Sequence, residues 1–88
     1  MKVVMLTSQY CKPCKAMKPI MIDLCTEKNV VLNIYDVEKD NTGIEISQRY
    51  SIYTVPAIIF MRGEEILWMT YGAMSKNELD KKMQEYNK

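Results

Sequence analysis

The hydrophobic and polar positions of the first 35 residues predict a strand, a helix and a second strand. Residues 2–7 are mainly apolar or β-branched and too few for a helix, so they predict a buried strand. Residues 30–35 are rich in β-forming residues and predict a second strand. This βαβ unit places its two strands parallel. Between the strands, from Lys12 to about Lys28, apolar residues recur at helical spacing and predict an amphipathic helix with one face formed by Met17, Ile20, Met21, Leu24 and Cys25.

Two local features mark the helices of the first half. Pro19 falls inside the first helix, where its ring and its missing N–H predict a bend near residues 15–19. Thr42 and Glu45 have the spacing of a capping box, which predicts a short second helix that ends near Tyr50. The charged residues between the second strand and this helix are predicted to form a turn.

The pattern of the second half predicts a hairpin and a last helix. Residues 57–61 and 65–70 are apolar segments separated by three residues, which leaves room only for a turn, so these strands are predicted to be antiparallel. Ser75 and Glu78 form a second capping box, and the helix that follows has an inward face of Leu79, Met83 and Tyr86. The predicted order is β-α-β-α-β-β-α, which is an α/β fold.

Length and composition indicate one compact domain. The 88 residues suffice for one modest core, so residues 1–88 are predicted to form a single domain. With 48% hydrophobic and 26% charged residues, the chain has the profile of a folded protein. A formal net charge of +1 predicts no general attraction to nucleic acid or anionic lipid. The apolar segments are too short for a membrane span or a signal peptide, so no membrane association is expected.

The numbers of cysteine and histidine residues limit the kinds of disulfide, catalytic and metal sites that the chain can form. Three cysteines, an odd number, argue against a secreted disulfide framework, and we predict a cytoplasmic location. The absence of histidine excludes His-based triads and His metal sites. Cys25 lies eleven residues beyond Cys14 on the predicted helix, about 16 Å away, and is predicted to be a buried structural residue. The eight methionines are predicted to lie mainly in the core.

Cys11 and Cys14 are the candidate reactive residues. They follow the first strand and lie at the start of the first helix, where unpaired N–H groups and the helix dipole favour a thiolate. Residues three apart on a helix share a face, so their sulfurs can form a disulfide. A redox dithiol, half of a zinc site and an inert pair all fit this spacing. Without a second Cys-x-x-Cys pair or a histidine, one chain cannot assemble four zinc ligands, so no metal is predicted and the redox interpretation is favoured.

Three segments on this order of elements carry a family resemblance. They are Cys11-Lys12-Pro13-Cys14 followed by Pro19, Thr54-Val55-Pro56 ahead of the third strand, and Tyr71-Gly72-Ala73-Met74-Ser75-Lys76 before the last helix. In these segments the chain resembles the thioredoxin superfamily, over nearly its whole length. The resemblance implies a minimal thioredoxin fold, with a four-stranded mixed sheet and helices on both faces. The chain starts almost directly at the strand leading to the cysteines, a size more like glutaredoxin.

The resemblance also implies roles for individual residues. Cys11 is the expected nucleophile that attacks a disulfide of a partner protein, and Cys14 is expected to resolve the mixed disulfide. The redox-active Cys11–Cys14 disulfide then serves in place of any bound cofactor. Pro56 is expected to be cis and to leave the Val55 backbone free to pair with an extended substrate. The substrate-binding residues that the resemblance implies are Tyr10, Lys12, Pro13, Val55, Pro56, Gly72 and Ala73.

Three positions depart from the family's pattern. Tyr10 stands where a tryptophan usually precedes the first cysteine, and Lys12 stands where a glycine usually follows it. Met5 occupies the position of a buried carboxylate that is implicated, in the family, in proton transfer with the second cysteine. Its loss leaves open how Cys14 is activated. A cationic group of Lys12, Lys15 and Lys18 either steers acidic partners or forms a solvated helix face.

We interpret the chain as a small monomeric thiol–disulfide oxidoreductase that reduces protein disulfides and carries electrons. Thioredoxin reductase or glutathione would supply the electrons, and the sequence favours neither donor. One alternative is a glutathione-coupled, glutaredoxin-type reductase. Another is a non-catalytic thioredoxin-like module that binds a partner beside Val55 and Pro56. An oxidase or isomerase is less favoured, because Pro13 beside Cys14 resembles the reducing members of the family.

Overall fold

The computed structural model describes residues 1–87 and contains the predicted elements in the predicted order. The strands are β1 (Lys2–Thr7), β2 (Val31–Asp36), β3 (Ala57–Arg62) and β4 (Glu65–Tyr71). The helices are α1 (Lys12–Glu27), α2 (Asn41–Arg49) and α3 (Lys76–Tyr86). Each strand begins and ends within one residue of its predicted bounds. The predicted α/β fold is therefore confirmed.

The four strands form one mixed sheet in the order β2-β1-β3-β4. β1 and β2 are parallel, as the βαβ unit predicts, whereas β1 with β3 and β3 with β4 are antiparallel. Residues 3–6 of β1 and 57–61 of β3 are buried, because these two central strands are covered on both faces. β2 and β4 are the half-buried edge strands, which explains their more polar sequences.

Helices cover both faces of the sheet. On one face, Val3 and Met5 pack in a core cluster with residues of α1 and α3. On the other face, Val4 and Leu6 form a second cluster, against which Ile46 of α2 packs. Successive residues of β1 thus alternate between the two layers. The predicted core role of the methionines is confirmed for Met5, Met17, Met21, Met61 and Met83, which are all buried.

The capping box predicted for the second helix is wrong. α2 begins at Asn41 with Asp40 as its N-cap residue, so Thr42 already lies within the first turn. The Asp40 carboxylate makes no capping bond, because it accepts a hydrogen bond from the Asp36 N–H at 2.8 Å. This bond closes the turn after β2. The start of the helix therefore follows from the turn and not from the spacing of Thr42 and Glu45.

The other helix features follow the sequence more closely. Ser75 Oγ accepts a hydrogen bond from the Glu78 N–H at 3.2 Å and donates one to Glu78 Oε1 at 3.0 Å, so the cap predicted for α3 is confirmed. Pro19 lies inside α1, which continues through it to Glu27, and the predicted bend there stays a prediction. Within residues 1–87, no helix combines the length and apolar character needed to cross a membrane.

Candidate active site

A disulfide joins Cys11 and Cys14 at the N-terminus of α1. Cys11 is the N-cap residue and has an extended backbone, with φ −86° and ψ 104°. Its Sγ accepts a hydrogen bond from the Cys14 N–H at 3.2 Å. The two Cα atoms are 5.2 Å apart, a separation common among protein disulfides. The first turn of α1 therefore holds both sulfurs together.

The two cysteines differ in how far a partner can reach them. Cys14 is 3% exposed and belongs to the core cluster between the sheet and α1. Cys11 is only half-buried and packs against the edge of that cluster. Lys12 and Pro13, which separate them, are exposed. An incoming disulfide can therefore contact Cys11 much more readily than Cys14.

The loop before β3 lies at the same end of the sheet. Its Val55–Pro56 peptide bond is cis. Pro56 is buried, and its carbonyl oxygen accepts a hydrogen bond from the Gly72 N–H at 2.8 Å. Val55 and Cys11 both pack against the core cluster that contains Cys14. Two segments that the sequence places more than forty residues apart are thus brought together.

A third loop, after β4, completes this end of the molecule. Gly72 is half-buried and has φ +84°, a left-handed conformation that favours glycine, whereas Ala73 is exposed. The Met74 N–H lies 3.1 Å from the Met17 Sδ and donates to it, which fastens the loop to α1 about one turn beyond Cys14. All the residues that the resemblance implied therefore lie on, or next to, three neighbouring loops.

A family model described as Thioredoxin matches residues 1–85, nearly the whole chain. This chain belongs to the thioredoxin family. The resemblance inferred from its motifs is confirmed. The family and the fold together support a thiol–disulfide oxidoreductase role.

Relatives and solved structures agree with this assignment. An H-type thioredoxin of Brassica oleracea is 27% identical over 85 residues, which cover 97% of this chain and 67% of the relative. A thioredoxin of Buchnera aphidicola is 32% identical over 75 residues, which cover 82% of this chain and 65% of the relative. The chain thus spans about two thirds of the length of these relatives. Thioredoxin 1 of Thermosipho africanus has a TM-score of 0.87 at 21% identity, over 99% of this chain and 94% of that structure, and this likeness shows the fold alone.

Exposed tyrosines lie on or beside the loops of this thioredoxin-family site. Tyr10 is 85% exposed immediately before Cys11, and Tyr53 is 79% exposed two residues before Val55. Tyr71, at the end of β4, is 46% exposed. Of these three residues, only Tyr10 is predicted from the sequence to belong to the site. The sequence feature that could have identified Tyr53 and Tyr71 is that each is an aromatic residue in a segment leading into a site loop. Aromatic residues are enriched in protein-binding surfaces, so these side chains suit a protein partner.

The charges nearest the cysteines along α1 are positive. Lys12, Lys15 and Lys18 are exposed on this helix. Residues 8–11, 50–56 and 72–75, which form the loops, include no charged side chain. A partner that approaches these loops therefore meets a cationic helix end next to a neutral, aromatic surface.

A polar cavity of about 190 Å³ lies beside Cys14. Its lining residues are Thr7, Ser8, Gln9, Cys14, Lys15, Lys18 and Asp36. Asp36 is not among the site residues predicted from the sequence. The signal that could have found it is topological, because Asp36 ends β2, and parallel strands bring their carboxyl ends to one edge of a sheet. A larger groove, of about 510 Å³ between α1 and β2, is lined in part by Cys25 and lies away from the disulfide.

Two further buried residues bear on the redox chemistry. Cys25 is a free thiol, 3% exposed, and burial raises its pKa to about 11, so its predicted burial is confirmed. Met5 is fully buried in the same core cluster as Cys14. Met5, which stands where the family's pattern has a carboxylate, therefore offers Cys14 no proton acceptor. Among residues 1–87, no group of three or more Cys, Asp or Glu side chains is placed to hold a metal ion.

Proposed function

We propose that this chain reduces disulfides of partner proteins through a reversible Cys11–Cys14 dithiol and disulfide, and so acts as an electron carrier. The observation that carries this proposal is the unequal placement of the two cysteines. Cys11 is reachable at the N-cap of α1, whereas Cys14 is buried one turn further along the helix. Cys11 is thus suited to attack the partner's disulfide, and Cys14 is suited to resolve the mixed disulfide.

In the first step, the thiolate of Cys11 attacks one sulfur of the partner's disulfide. The partner's S–S bond breaks and a mixed disulfide forms with Cys11, while the electron pair leaves on the partner's other sulfur, which takes up a proton. The N-terminus of α1 stabilises the attacking thiolate through its free N–H groups and its dipole. The Cys14 N–H, which lies 3.2 Å from Cys11 Sγ, is one such donor.

In the second step, Cys14 resolves the mixed disulfide. Its thiol loses a proton and its sulfur attacks Cys11 Sγ, so that the Cys11–Cys14 disulfide forms and the partner's second sulfur leaves as a thiolate. Two electrons have then passed from the two cysteines to the partner. Both cysteines belong to one chain, so this attack is intramolecular. Because their Cα atoms are 5.2 Å apart, it outcompetes attack by outside thiols.

Substrate binding is assigned to the loops around the disulfide. An extended segment of the partner pairs with the backbone of Val55, ahead of β3, as an added strand does. The exposed rings of Tyr53 and Tyr71 enlarge the contact surface. The binding residues proposed from the resemblance are unchanged: Tyr10, Lys12, Pro13, Val55, Pro56, Gly72 and Ala73.

The proposal also covers the oligomeric state of the chain, its location and its electron donor. The chain acts as a monomer in which residues 1–88 form one domain, without a bound cofactor and without nucleic-acid or membrane partners. A cytoplasmic location suits a protein with one buried, free cysteine besides the redox pair. The oxidised Cys11–Cys14 pair is returned to the dithiol by thioredoxin reductase or by glutathione.

NADPH consumption tests this function directly. The chain is incubated with insulin as the disulfide substrate and with either thioredoxin reductase or the glutathione system as donor. We expect turnover with one donor, complete loss of turnover in Cys11→Ser, and a trapped mixed disulfide in Cys14→Ser. Cys25→Ala serves as the matched control, because this cysteine is buried away from the site, and it should retain turnover.

The opposite results identify the alternatives. No NADPH consumption with either donor would refute the reductase function. If, in addition, neither thiol of the reduced pair reacts rapidly with iodoacetamide near neutral pH and partner binding is indifferent to oxidation, the chain is a binding module. Turnover with glutathione alone would assign the chain to the glutaredoxin-type reductases.

A further inference from the structure

The second step of the proposed function requires that Cys14 lose its proton inside the protein. A thiol reacts as the thiolate, and Cys14 is 3% exposed, so bulk water has little access to it. Burial without a partner favours the neutral thiol. Met5, which lies in the same core cluster on β1, has no group that can accept a proton. The acceptor must therefore come from another element.

β2 places a carboxylate beside Cys14. Met5 pairs with Ile34 in the parallel ladder, and two residues further along Thr7 pairs with Asp36. Because side chains alternate along a strand, Asp36 lies on the same face of the sheet as Ile34, which packs against the core cluster of α1. Asp36 and Cys14 accordingly line one cavity of about 190 Å³. A polar cavity of this size has room for water molecules that can relay a proton.

The turn after β2 holds this carboxylate in place. Asp36 Oδ1 accepts hydrogen bonds from the Glu38 N–H at 2.7 Å and from the Lys39 N–H at 3.0 Å. Within the described residues 1–87, Oδ2 accepts no hydrogen bond from the protein, so it remains open to a proton. The backbone N–H of Asp36 is held by the Asp40 carboxylate at 2.8 Å. Oδ1 thus holds the carboxylate in the turn, and Oδ2 is available to accept a proton.

The charged groups that face the cavity are few. Lys15 and Lys18 come from α1 and Asp36 from β2, while β1 and the loop after it supply only the neutral Thr7, Ser8 and Gln9. The turn beyond Asp36 adds Glu38, Lys39 and Asp40, which are exposed. The two ammonium groups stabilise a negative charge whether it lies on the carboxylate or on the Cys14 sulfur.

We propose that Asp36 is the proton acceptor for Cys14 in the resolving step, an inference that rests on the proposed function. The Cys14 proton passes across the cavity to the Asp36 carboxylate as the sulfur attacks Cys11 Sγ. The bond between Cys11 and the partner breaks, the Cys11–Cys14 bond forms, and the electron pair leaves on the partner's sulfur. The proton then returns from Asp36 to that sulfur or to solvent, so the carboxylate is regenerated.

Reaction of the reduced protein with 5,5′-dithiobis(2-nitrobenzoate) separates the two steps. The first thionitrobenzoate is released when Cys11 attacks, at a rate that depends on reagent concentration, and the second when Cys14 attacks, at a rate that does not. Asp36→Asn keeps the Oδ1 acceptor of the turn but removes the base. We expect it to leave the first phase unchanged and to slow the second on the order of a hundredfold near pH 6.5, the low end for a positioned general base.

The pH profile distinguishes a proton acceptor from a structural residue. The deficit of Asp36→Asn should shrink towards pH 9, because solvent base then removes the Cys14 proton directly. Asp23→Asn, an exposed position on α1, removes the same charge and should match the parent protein in both phases. Asp36→Ser, which also retains a short oxygen for the turn, should show the same loss in the second phase alone and covers the case in which Asp36→Asn folds poorly.

The other possible outcomes refute either the role of Asp36 or the proposed function. A second phase in Asp36→Asn that equals the parent's from pH 6 to pH 9 refutes the role of Asp36 and leaves the reductase function intact. An equal slowing of both phases refutes it as well, since it marks a structural effect. A parent protein that releases no thionitrobenzoate from Cys11 and Cys14 refutes the proposed function itself, and this inference with it.

Discussion

Replacing Gly43 by alanine tests the close packing of α2 against the end of β2. Gly43 is buried in the first turns of α2, and a Cβ atom there would lie 2.5 Å from the Asp36 carbonyl oxygen and 3.0 Å from the Tyr35 Cβ. Ordinary contacts between carbon and a carbonyl oxygen are about 3.3–3.6 Å. Both neighbours are close to the backbone and cannot rotate away, so α2 or the end of β2 must move by somewhat less than an ångström.

Two opposing terms set the size of the effect. In an exposed helix, changing glycine to alanine stabilises a protein by about 1 kcal/mol. Overpacking in a well-packed core costs about 1–3 kcal/mol. At the crowded Gly43 position we expect an overpacking cost in the upper part of this range, about 2–3 kcal/mol, so that the net loss is about 1–2 kcal/mol. For a domain of this size, such a loss lowers Tm by roughly 4–15 °C.

Thermal and urea unfolding, followed by far-ultraviolet circular dichroism, measure this loss. Gln48→Ala is the matched control, because Gln48 is exposed on the same helix, and its free energy of unfolding should change by less than about 0.5 kcal/mol. A Gly43→Ala protein as stable as the parent, or more stable, would refute the close approach. If the variant is more stable by about 1 kcal/mol, the helix-propensity term alone accounts for the result.

Three further changes test other parts of the molecule. Ser75→Ala removes the cap of α3 and should lower the free energy of unfolding by about 1 kcal/mol in urea. In the oxidised protein Cys25 is a free thiol, and burial raises its pKa from 9.0 to about 11. Unfolding therefore releases a proton at pH values between about 9 and about 11. The free energy of unfolding should fall as the pH rises from about 9 to about 11, relative to Cys25→Ala. Lys12→Glu should slow reduction of an acidic disulfide peptide on the order of threefold at low salt, whereas Lys81→Glu should not.

Each of these three has a clear contrary result. An unchanged urea midpoint in Ser75→Ala would mean that the cap contributes nothing to stability. Equal stability profiles of the parent and Cys25→Ala from pH 9 to pH 11 would mean that the thiol is not buried in solution. A loss in Lys12→Glu that persists at high salt, or that occurs equally with a neutral peptide, would remove the electrostatic explanation.

The helices, the strands and the candidate redox pair could be predicted from the sequence, because they depend on short-range spacing. Apolar periodicity located the strands and helices, and the interval between Cys11 and Cys14 placed two thiols on one face at a helix start. The cap at Ser75 was likewise readable, since its bonds span three residues. The cap expected at Thr42 failed for a physical reason: Asp40 bonds to the Asp36 backbone, so the turn decides where α2 begins.

The surroundings of the disulfide depend on contacts between residues that are distant in the sequence. Parallel pairing of β1 with β2 places Asp36 in the cavity beside Cys14, although the two are 22 residues apart in the sequence. The hydrogen bond between Gly72 and Pro56 brings two more loops to the same end of the sheet. No local pattern marks these neighbours, because strand register and helix packing set them. The sequence therefore predicts which sulfur atoms exchange electrons, and the fold decides which carboxylate shares a cavity with Cys14.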